Sequence, residues 1–145
     1  MHYLVIIILS LWVSTPARAG FYEGLATYES GDYATALWEW TPLAEQGDAV
    51  AQFNLGVKYC NGDGVPQNYK TAVKWWTLAA EQGNTKAQHS LGWVYANGKG
   101  VPQNYETAFK WYTLAAEQGD ADAQYNLGWM YQYGDGVPQN YETAF

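Results

Sequence analysis

The sequence predicts an all-α fold, an α/α solenoid of helix-turn-helix repeats with a 36-residue period, preceded by a signal peptide. Two adjoining segments, residues 50–85 and 86–121, agree at 24 of 36 positions. The hexapeptide GVPQNY occurs three times, beginning at Gly64, Gly100 and Gly136. Self-similarity at a fixed period of this length is the signature of stacked supersecondary units.

The composition indicates one acidic, globular domain. The chain has 145 residues, 48% of them hydrophobic, which is ample material for a core. Asp and Glu number 14 against 7 Lys and Arg, so the net charge is −7. Nucleic-acid binding needs clustered Lys and Arg to neutralise phosphates, and we therefore expect no nucleic-acid partner.

The first residues have the pattern of a signal peptide. Residues 4–13 form an apolar run, followed by the helix breaker Pro16 and by Ala-Arg-Ala ending at Ala19. Small residues at −3 and −1 predict that residues 1–19 are removed before Gly20, although the first three residues carry no Lys or Arg. A ten-residue helix spans about 15 Å against a hydrocarbon core of about 30 Å. We expect no stable membrane insertion after cleavage, and a periplasmic or secreted product.

The repeats divide the rest of the chain into four units. These are a partial N-terminal helical hairpin over residues 20–47, repeats over residues 48–83 and 84–119, and a truncated repeat over residues 120–145.

Each full unit is predicted to contain two helices. The first runs from about residue 48 to 61, with Asp48 as its N-cap. Two glycines and Pro66 break it, and Asn68 caps a second helix over about residues 69–82. Gly47, which stands before the first helix, is expected to end the preceding helix in the left-handed conformation.

Three glycines fall in the middle of the first helices, and the second helices carry paired aromatic residues. Gly56, Gly92 and Gly128 each cost about 0.5–1 kcal/mol relative to alanine, so we expect close helix–helix approach. In the first repeat the glycine is expected to face Ala72 or Ala80 of the second helix. The second helix is expected to turn Ala72, Trp75 and Ala79 inward, and at least one member of each aromatic pair (75–76, 111–112) is expected in the core.

The repeat motif resembles a known family. The chain repeats Ala-x-x-x-Leu-Gly-x-x-Tyr-x-x-Gly-x-Gly-Val-Pro, followed by Tyr-x-x-Ala and Ala-Ala-Glu-Gln-Gly. This pattern resembles the Sel1-like repeat over residues 21–145. The resemblance implies a relative of tetratricopeptide arrays, with helical hairpins stacked into a right-handed superhelix that has a concave face. It also implies an adaptor or scaffold, and exported bacterial members often regulate envelope or signalling proteins by binding them.

Both ends of the array depart from the family pattern. Only a Glu-Ser-Gly-Asp turn lies between Tyr28 and Tyr33, where the full repeats have a longer loop. The last unit stops at Phe145, without the segment that completes its second helix. We therefore expect the first helix of this unit to be poorly covered, and a truncated, non-functional remnant of a longer repeat protein is an alternative interpretation.

Positions that differ between the near-identical repeats are free to serve a function other than folding. Along the first helices these positions recur at spacings of three and four, which places them on one stripe. The family arrangement implies that this stripe lines the concave groove, where aromatic residues favour protein binding. The predicted partner-binding residues are Phe53, Val57, His89, Trp93, Tyr125, Trp129 and Tyr133. The alternative is that Trp93 and Trp129 pack as core.

The sequence offers no metal, cofactor or thiol chemistry. His89 is the only histidine after the predicted signal peptide, which excludes a multi-histidine metal site in that part of the chain. Cys60 is the only cysteine, and we interpret it as an incidental thiol. The Gly-x-Gly loops lack the ligands of phosphate or calcium loops. No cofactor is therefore expected.

A hydrolase is the enzymatic alternative. Some cysteine-rich exported relatives have been described as penicillin-binding or β-lactamase-like, so the resemblance alone suggests this activity. Such enzymes use a Ser-x-x-Lys nucleophile. The residues three after Ser30 and Ser90 are Tyr33 and Trp93, so the motif is absent there. We therefore predict no enzyme but a non-enzymatic scaffold or adaptor of the cell envelope that binds a protein or peptide; the oligomeric state stays open.

Overall fold

The computed structural model describes residues 16–144, with side chains from residue 19 onward. The regular structure of these residues is entirely α-helical, which confirms the predicted all-α solenoid. The helices are α1 (Pro16–Glu29), α2 (Tyr33–Glu45), α3 (Ala49–Asn61), α4 (Tyr69–Glu81), α5 (Thr85–Asn97), α6 (Tyr105–Glu117) and α7 (Ala121–Tyr133).

The helices pack in chain order as a row of hairpins. α1 packs on α2, α3 on α4, and α5 on α6, and each hairpin contacts the next through its second helix, so that α2 touches α3, α4 touches α5 and α6 touches α7. Helix α5 also touches α7 directly. We call α1, α3, α5 and α7 the A helices, and α2, α4 and α6 the B helices. In the described part of the chain no helix follows α7, and residues 141–143 form a turn.

Side-chain caps and glycines set the helix boundaries. The Asp48 carboxylate accepts a hydrogen bond from the Ala51 N–H at 2.7 Å, and the Asn68 side chain accepts from the Thr71 N–H at 3.0 Å. Both satisfy backbone donors that have no partner inside the helix. Gly62 ends α3 with φ of +81°, in the left-handed region that favours glycine. The predicted helices and caps of the first repeat are therefore confirmed, with α4 ending one residue earlier than expected.

Each mid-helix glycine of a complete hairpin lies under an aromatic ring of its B helix. A Cβ on Gly92 would lie 2.5 Å from the Tyr112 ring, and a Cβ on Gly56 would lie even closer to the Trp76 indole. The rings of Trp76 and Tyr112 are each only 3% exposed. Close approach is confirmed, but the expected partner was wrong, because a ring rather than Ala72 or Ala80 fills the space over the glycine. We call this the ring-on-glycine contact.

Of the three residues predicted inward on α4, Ala72 and Ala79 are fully buried, but the aromatic residue in the core is not the predicted one. Trp76 is buried and Trp75 only half-buried, whereas Trp75 was expected inward. One residue rotates a side chain by about 100° around a helix. The indole N–H of Trp76 donates to the Phe53 carbonyl of α3 at 3.2 Å, which pairs a donor that would otherwise be buried without a partner. The expectation that one member of each aromatic pair lies in the core is confirmed.

The N-terminal hairpin has the same construction. The Trp40 ring of α2 lies over Gly24 of α1, and its indole N–H donates to the Phe21 carbonyl at 3.3 Å.

The apolar run of the predicted signal peptide lies outside the described residues, so export stays a prediction. The predicted cleavage point before Gly20 lies within α1, and cleavage there would shorten this helix to residues 20–29.

A second set of contacts joins the end of each complete B helix to the A helix of the same hairpin. The side-chain amide of Gln82, at the end of α4, donates to the side-chain carbonyl of Gln52 on α3 at 2.8 Å. Gln118 donates to Gln88 in the same way at 2.7 Å. Gln52 and Gln88 are both 4% exposed, and their own amides donate to backbone carbonyls of the preceding B helix. Their buried polar atoms are thus satisfied.

The ring-on-glycine contact predicts unequal effects of one substitution at two glycines. Gly92→Ala places a methyl group inside the Tyr112 ring and should destabilise the chain by roughly 1–3 kcal/mol. Gly128→Ala meets no ring, but its Cβ would lie 2.8 Å from the Ala144 carbonyl oxygen, so the final turn must shift and the loss should be smaller than at Gly92. Urea unfolding measures both free energies. Equal losses in the two variants would show that the ring does not set the requirement for glycine.

Burial of Tyr112 predicts a specific alkaline instability. Burial raises the pKa of this phenol to about 12 from its ordinary 10.0. The folded state therefore holds a proton that the unfolded state releases, and its stabilising effect is complete below about pH 10 and lost between about pH 10 and 12. As the pH rises from about 10 to 12, the melting temperature of Tyr112→Phe should fall less than that of wild type. Tyr125→Phe, at a 65% exposed ring, should behave as wild type.

Candidate protein-binding surface

The predicted binding residues all lie on A helices, but the structure places them in different environments. Phe53 and Val57 of α3 are half-buried and pack against the core formed by α4 and α5. Their side chains therefore contribute to the stability of the array as well as to its surface.

His89 links two A helices. Its half-buried ring lies 5.6 Å from the Tyr112 ring, centroid to centroid, and its Nε2 lies 3.4 Å from the side-chain amide of Asn126 on α7. The ring is thus held between its own hairpin and the next A helix. This position favours a structural role.

Trp93 and Trp129 are surface residues. Trp93 is 37% exposed, and its ring lies 6.4 Å from that of Tyr69 at the start of α4. Trp129 is 45% exposed. Core packing, the alternative considered for these two residues, is therefore not what the structure shows.

Three aromatic residues of α7 form a continuous exposed stack, which we call the aromatic ladder. Tyr125, Trp129 and Tyr133 are 65%, 45% and 55% exposed. The Trp129 ring lies 6.1 Å from Tyr125 in an edge-on arrangement and 5.0 Å from Tyr133 in a stacked one. Spacing of four residues on one helix brings the rings together without a partner. The ladder is the largest exposed aromatic feature among the described A helices.

A groove that was not predicted continues this surface towards the N-terminus. It has a volume of about 490 Å³ and lies between α1, α3 and the start of α5. Its lining residues are Phe21, Leu25, Val50, Phe53, Asn54, Asn84, Thr85 and Lys86. Phe53 is the only member of the predicted set that lines it.

The groove was missed because α1 breaks the 36-residue spacing. The connection between α1 and α2 is four residues shorter than that between α3 and α4, so α1 is offset from α3 by 32 residues. Phe21 and Gly24 then correspond to Phe53 and Gly56. A repeat search that allowed a four-residue gap would have found this signal.

A second groove lies on the far side of the first hairpin. It has a volume of about 450 Å³ and surrounds Trp38 on the outer face of α2, opposite the buried Trp40. Trp38 is 78% exposed, and the corresponding positions of the sister helices hold Lys74 and Lys110. Because it lies on a B helix, this groove is separate from the A-helix surface.

The fully buried Lys58 was also missed by the sequence analysis. Its ammonium donates to the Tyr33 carbonyl at 2.9 Å and lies 5.1, 5.0 and 5.5 Å from the ring centroids of Tyr28, Tyr33 and Trp40. Burial lowers the pKa of Lys58 below its ordinary 10.5, an effect that the carboxylates of Asp63 and Asp32 partly oppose. The enclosed ammonium joins α3 to the N-terminal hairpin and is not available to a ligand.

Neither Cys60 nor Ser90 has the surroundings of an activated nucleophile. Burial, with a smaller effect from the Asp63 carboxylate, raises the pKa of the half-buried Cys60 thiol, so the thiol stays protonated at neutral pH. The hydroxyl of Ser90 donates to the Lys86 carbonyl within its own helix. Between residues 16 and 144 no group of three or more His, Cys, Asp or Glu side chains is placed to hold a metal ion. No helix in this range is long and apolar enough to cross a membrane.

Comparison with models of known protein families shows to which family the chain belongs. A family model described as the Sel1 repeat matches residues 49–84, 85–120 and 121–145. These matches cover most of the chain, which therefore belongs to the Sel1 repeat family. Members of this family are generally protein-interaction scaffolds and are typically non-enzymatic.

Solved structures of bacterial repeat proteins are similar to the chain. The protein c5321, a protective antigen present in uropathogenic Escherichia coli strains and displaying an SLR fold, is 41% identical with a TM-score of 0.82. A Sel1 repeat protein from Oxalobacter formigenes is 37% identical, also with a TM-score of 0.82. The similar regions cover 86% and 89% of this chain but only 27% and 55% of those two chains.

A more distant similarity concerns the fold alone. The Helicobacter pylori cysteine rich protein B (hcpB) is 19% identical with a TM-score of 0.59, over 76% of this chain and 96% of that one. No curated protein is significantly similar in sequence.

The enclosure of Lys58 predicts that two substitutions of this residue lower the unfolding free energy by different amounts. Lys58→Ala leaves a cavity and removes the hydrogen bond to the Tyr33 carbonyl, and should cost roughly 3–5 kcal/mol of unfolding free energy. Lys58→Met introduces the residue of the sister position in α7, keeps most of the volume and should cost about 1–2 kcal/mol. Chemical unfolding measures both values. If methionine costs as much as alanine, the ammonium rather than the volume of the side chain carries the stabilisation.

Proposed function

We propose that the chain is a non-enzymatic scaffold or adaptor of the bacterial cell envelope that binds a peptide or protein partner on the surface of its A helices. The observation that carries this proposal is the row of exposed aromatic rings on α5 and α7, formed by Trp93 and the aromatic ladder. Large exposed rings bury much area on binding at a small cost in side-chain entropy, and they are enriched at the centres of protein interfaces. In the family's superhelix this surface is the concave one.

The side chains around these rings suit a polar peptide backbone. Asn54, Ser90 and Asn126 occupy the same position on successive A helices. Amide and hydroxyl groups at this position can pair with backbone donors and acceptors of an extended segment. On the same stripe the charged residues are Lys86 and Asp122, one of each sign. A partner segment with apolar side chains and little net charge therefore fits this surface best.

The groove beside α1 extends the proposed surface. Phe53 belongs both to the groove lining and to the predicted binding stripe, so the two features adjoin each other. An apolar side chain of the partner would enter the groove between Phe21 and Phe53, while the tryptophans contact the segment further along. This arrangement uses several A helices at once, which fits an extended ligand rather than a small molecule.

The envelope location rests on the leader pattern of residues 1–19. The bacterial origin of the similar Sel1 repeat proteins is compatible with it.

Capture of a partner by a tryptophan variant tests the proposal. Residues 20–145 serve as bait for an envelope extract, beside the double variant Trp93→Ala, Trp129→Ala and the matched variant Trp38→Ala, whose ring lies outside the A-helix surface. We expect a specific protein to be retained by wild type and by Trp38→Ala and lost by the double variant. In calorimetry the double variant should bind that protein at least about tenfold more weakly.

Circular dichroism must show unchanged helicity in all three baits. The proposal fails if the folded double variant retains the same proteins as wild type. A partner lost only by Trp38→Ala would place binding on α2 instead.

A further inference from the structure

The outer face of α2 carries an exposed tryptophan where its sister helices carry lysine. Trp38 is 78% exposed, and the equivalent Lys74 and Lys110 of α4 and α6 are exposed as well. This position therefore faces solvent in each of the three B helices. The exposure of Trp38 follows from its place on the helix and not from the place of α2 in the array.

The side chains around Trp38 make this face of α2 apolar. One turn before the ring, Ala34 takes the position at which α4 and α6 carry the charged residues Lys70 and Glu106. The groove of about 450 Å³ around the ring is lined by Ala34, Leu37, Trp38, Thr41, Pro42 and Glu45. Glu45 is the charged member of this lining, and it stands at one end of the groove. Exposed apolar patches with a polar rim mark interaction sites.

The part of the chain that carries this groove is strongly acidic. Residues 19–57, which include α1 and α2, contain six Asp and Glu and no Lys or Arg. Residues 58–145 contain eight Asp and Glu against six Lys, so most of the net negative charge belongs to the N-terminal hairpin and the start of α3. Lys58 is fully buried and presents no charge at the outer face of α2. A surface with charge of one sign attracts ligands of the opposite sign.

We propose that the outer face of α2 binds a basic segment of a partner protein, in which an aliphatic side chain is flanked by Lys or Arg. The aliphatic side chain would lie in the groove against Leu37 and the Trp38 ring. A cationic side chain would lie on the exposed indole and beside the Glu45 carboxylate. Cation–π attraction and the ion pair both favour Lys or Arg at this point.

This site goes beyond the proposed function and is separate from it. The outer face of α2 belongs to a B helix, whereas Trp93 and the aromatic ladder lie on A helices. The stripe on the A helices carries one charge of each sign and suits a segment of little net charge. The outer face of α2 selects a basic segment, so either site can be lost while the other still binds.

Three peptides test the chemistry of the site. The probe is acetyl-Lys-Leu-Lys-Leu-Lys-amide, whose extended length of about 17 Å matches the roughly 16 Å of helix between Ala34 and Glu45. It is titrated into 15N-labelled residues 20–145 at up to millimolar concentration, and the indole N–H resonance of Trp38, identified with Trp38→Phe, reports binding. We expect a saturable shift of this resonance. The peptide with Ser in place of Leu should bind at least about fivefold more weakly, and the peptide with Glu in place of Lys should not saturate.

Chain variants locate the binding. Trp38→Lys introduces the residue of the sister helices at a solvent-facing position, so the circular dichroism should stay unchanged while the saturable shifts of the Ala34 and Thr41 amides disappear. Glu45→Gln should weaken binding about two- to fivefold and reduce its salt dependence between about 0.05 M and about 0.5 M. As a matched control, Trp38→Lys combined with Lys74→Trp moves the exposed ring to α4. This variant should not recover the wild-type affinity.

The proposal is overturned if the acidic peptide binds as tightly as the basic one, or if Trp38→Lys keeps the wild-type affinity. It is also overturned if the shifts centre on the indole resonances of Trp93 and Trp129, or if the ring on α4 restores full binding. Light scattering that reports a dimer which Trp38→Lys dissociates would likewise contradict it, because a second copy would then cover this face.

Discussion

The contact between a mid-helix glycine and an aromatic ring of the following helix determines how close the two helices of every complete hairpin can approach. Glycine costs helix stability of about 0.5–1 kcal/mol, but burial of a whole ring contributes more than that. In two hairpins the indole N–H of the ring also donates to a carbonyl of the A helix, at Phe21 and Phe53, which fixes the orientation of the ring. The small alanines next to the ring, such as Ala72 and Ala79, can be buried completely because the helices are already close. The glutamine pairs at the hairpin ends follow from the same spacing.

Because the hairpins share this construction, their differences are concentrated at a few positions. The inward residue is Lys58 in α3 but Val94 in α5 and Met130 in α7. The Lys58 ammonium contacts three rings and a carbonyl, all of which belong to the N-terminal hairpin. The short connection between α1 and α2 brings two of these rings, Tyr28 and Tyr33, together. A buried ammonium without such partners would be strongly destabilising. Lys58 thus fits the N-terminal hairpin, and its contacts favour one packing register of α3 against that hairpin.

Local signals in the sequence were sufficient for the helices but not for all the side-chain contacts. Caps such as Asp48 and Asn68, and turn glycines such as Gly62, act within a few residues, and the repeat supplied each signal several times. The inward choice between Trp75 and Trp76 depends on the neighbouring helix, and an error of one residue changes the direction by about 100°. To predict the groove beside Phe21, the sequence has to be compared with itself at a spacing of 32 rather than 36 residues. The enclosure of Lys58 involves residues 25 positions away, which no local pattern reveals.

The aromatic ladder lies on α7, which packs on α6 and also touches α5. Stability in a repeat array is close to a sum over hairpins and the interfaces between them. A ligand that binds only the folded form of α7 adds its binding free energy to that unit. A partner that binds the aromatic ladder therefore also stabilises the contacts of α7 with α6 and α5.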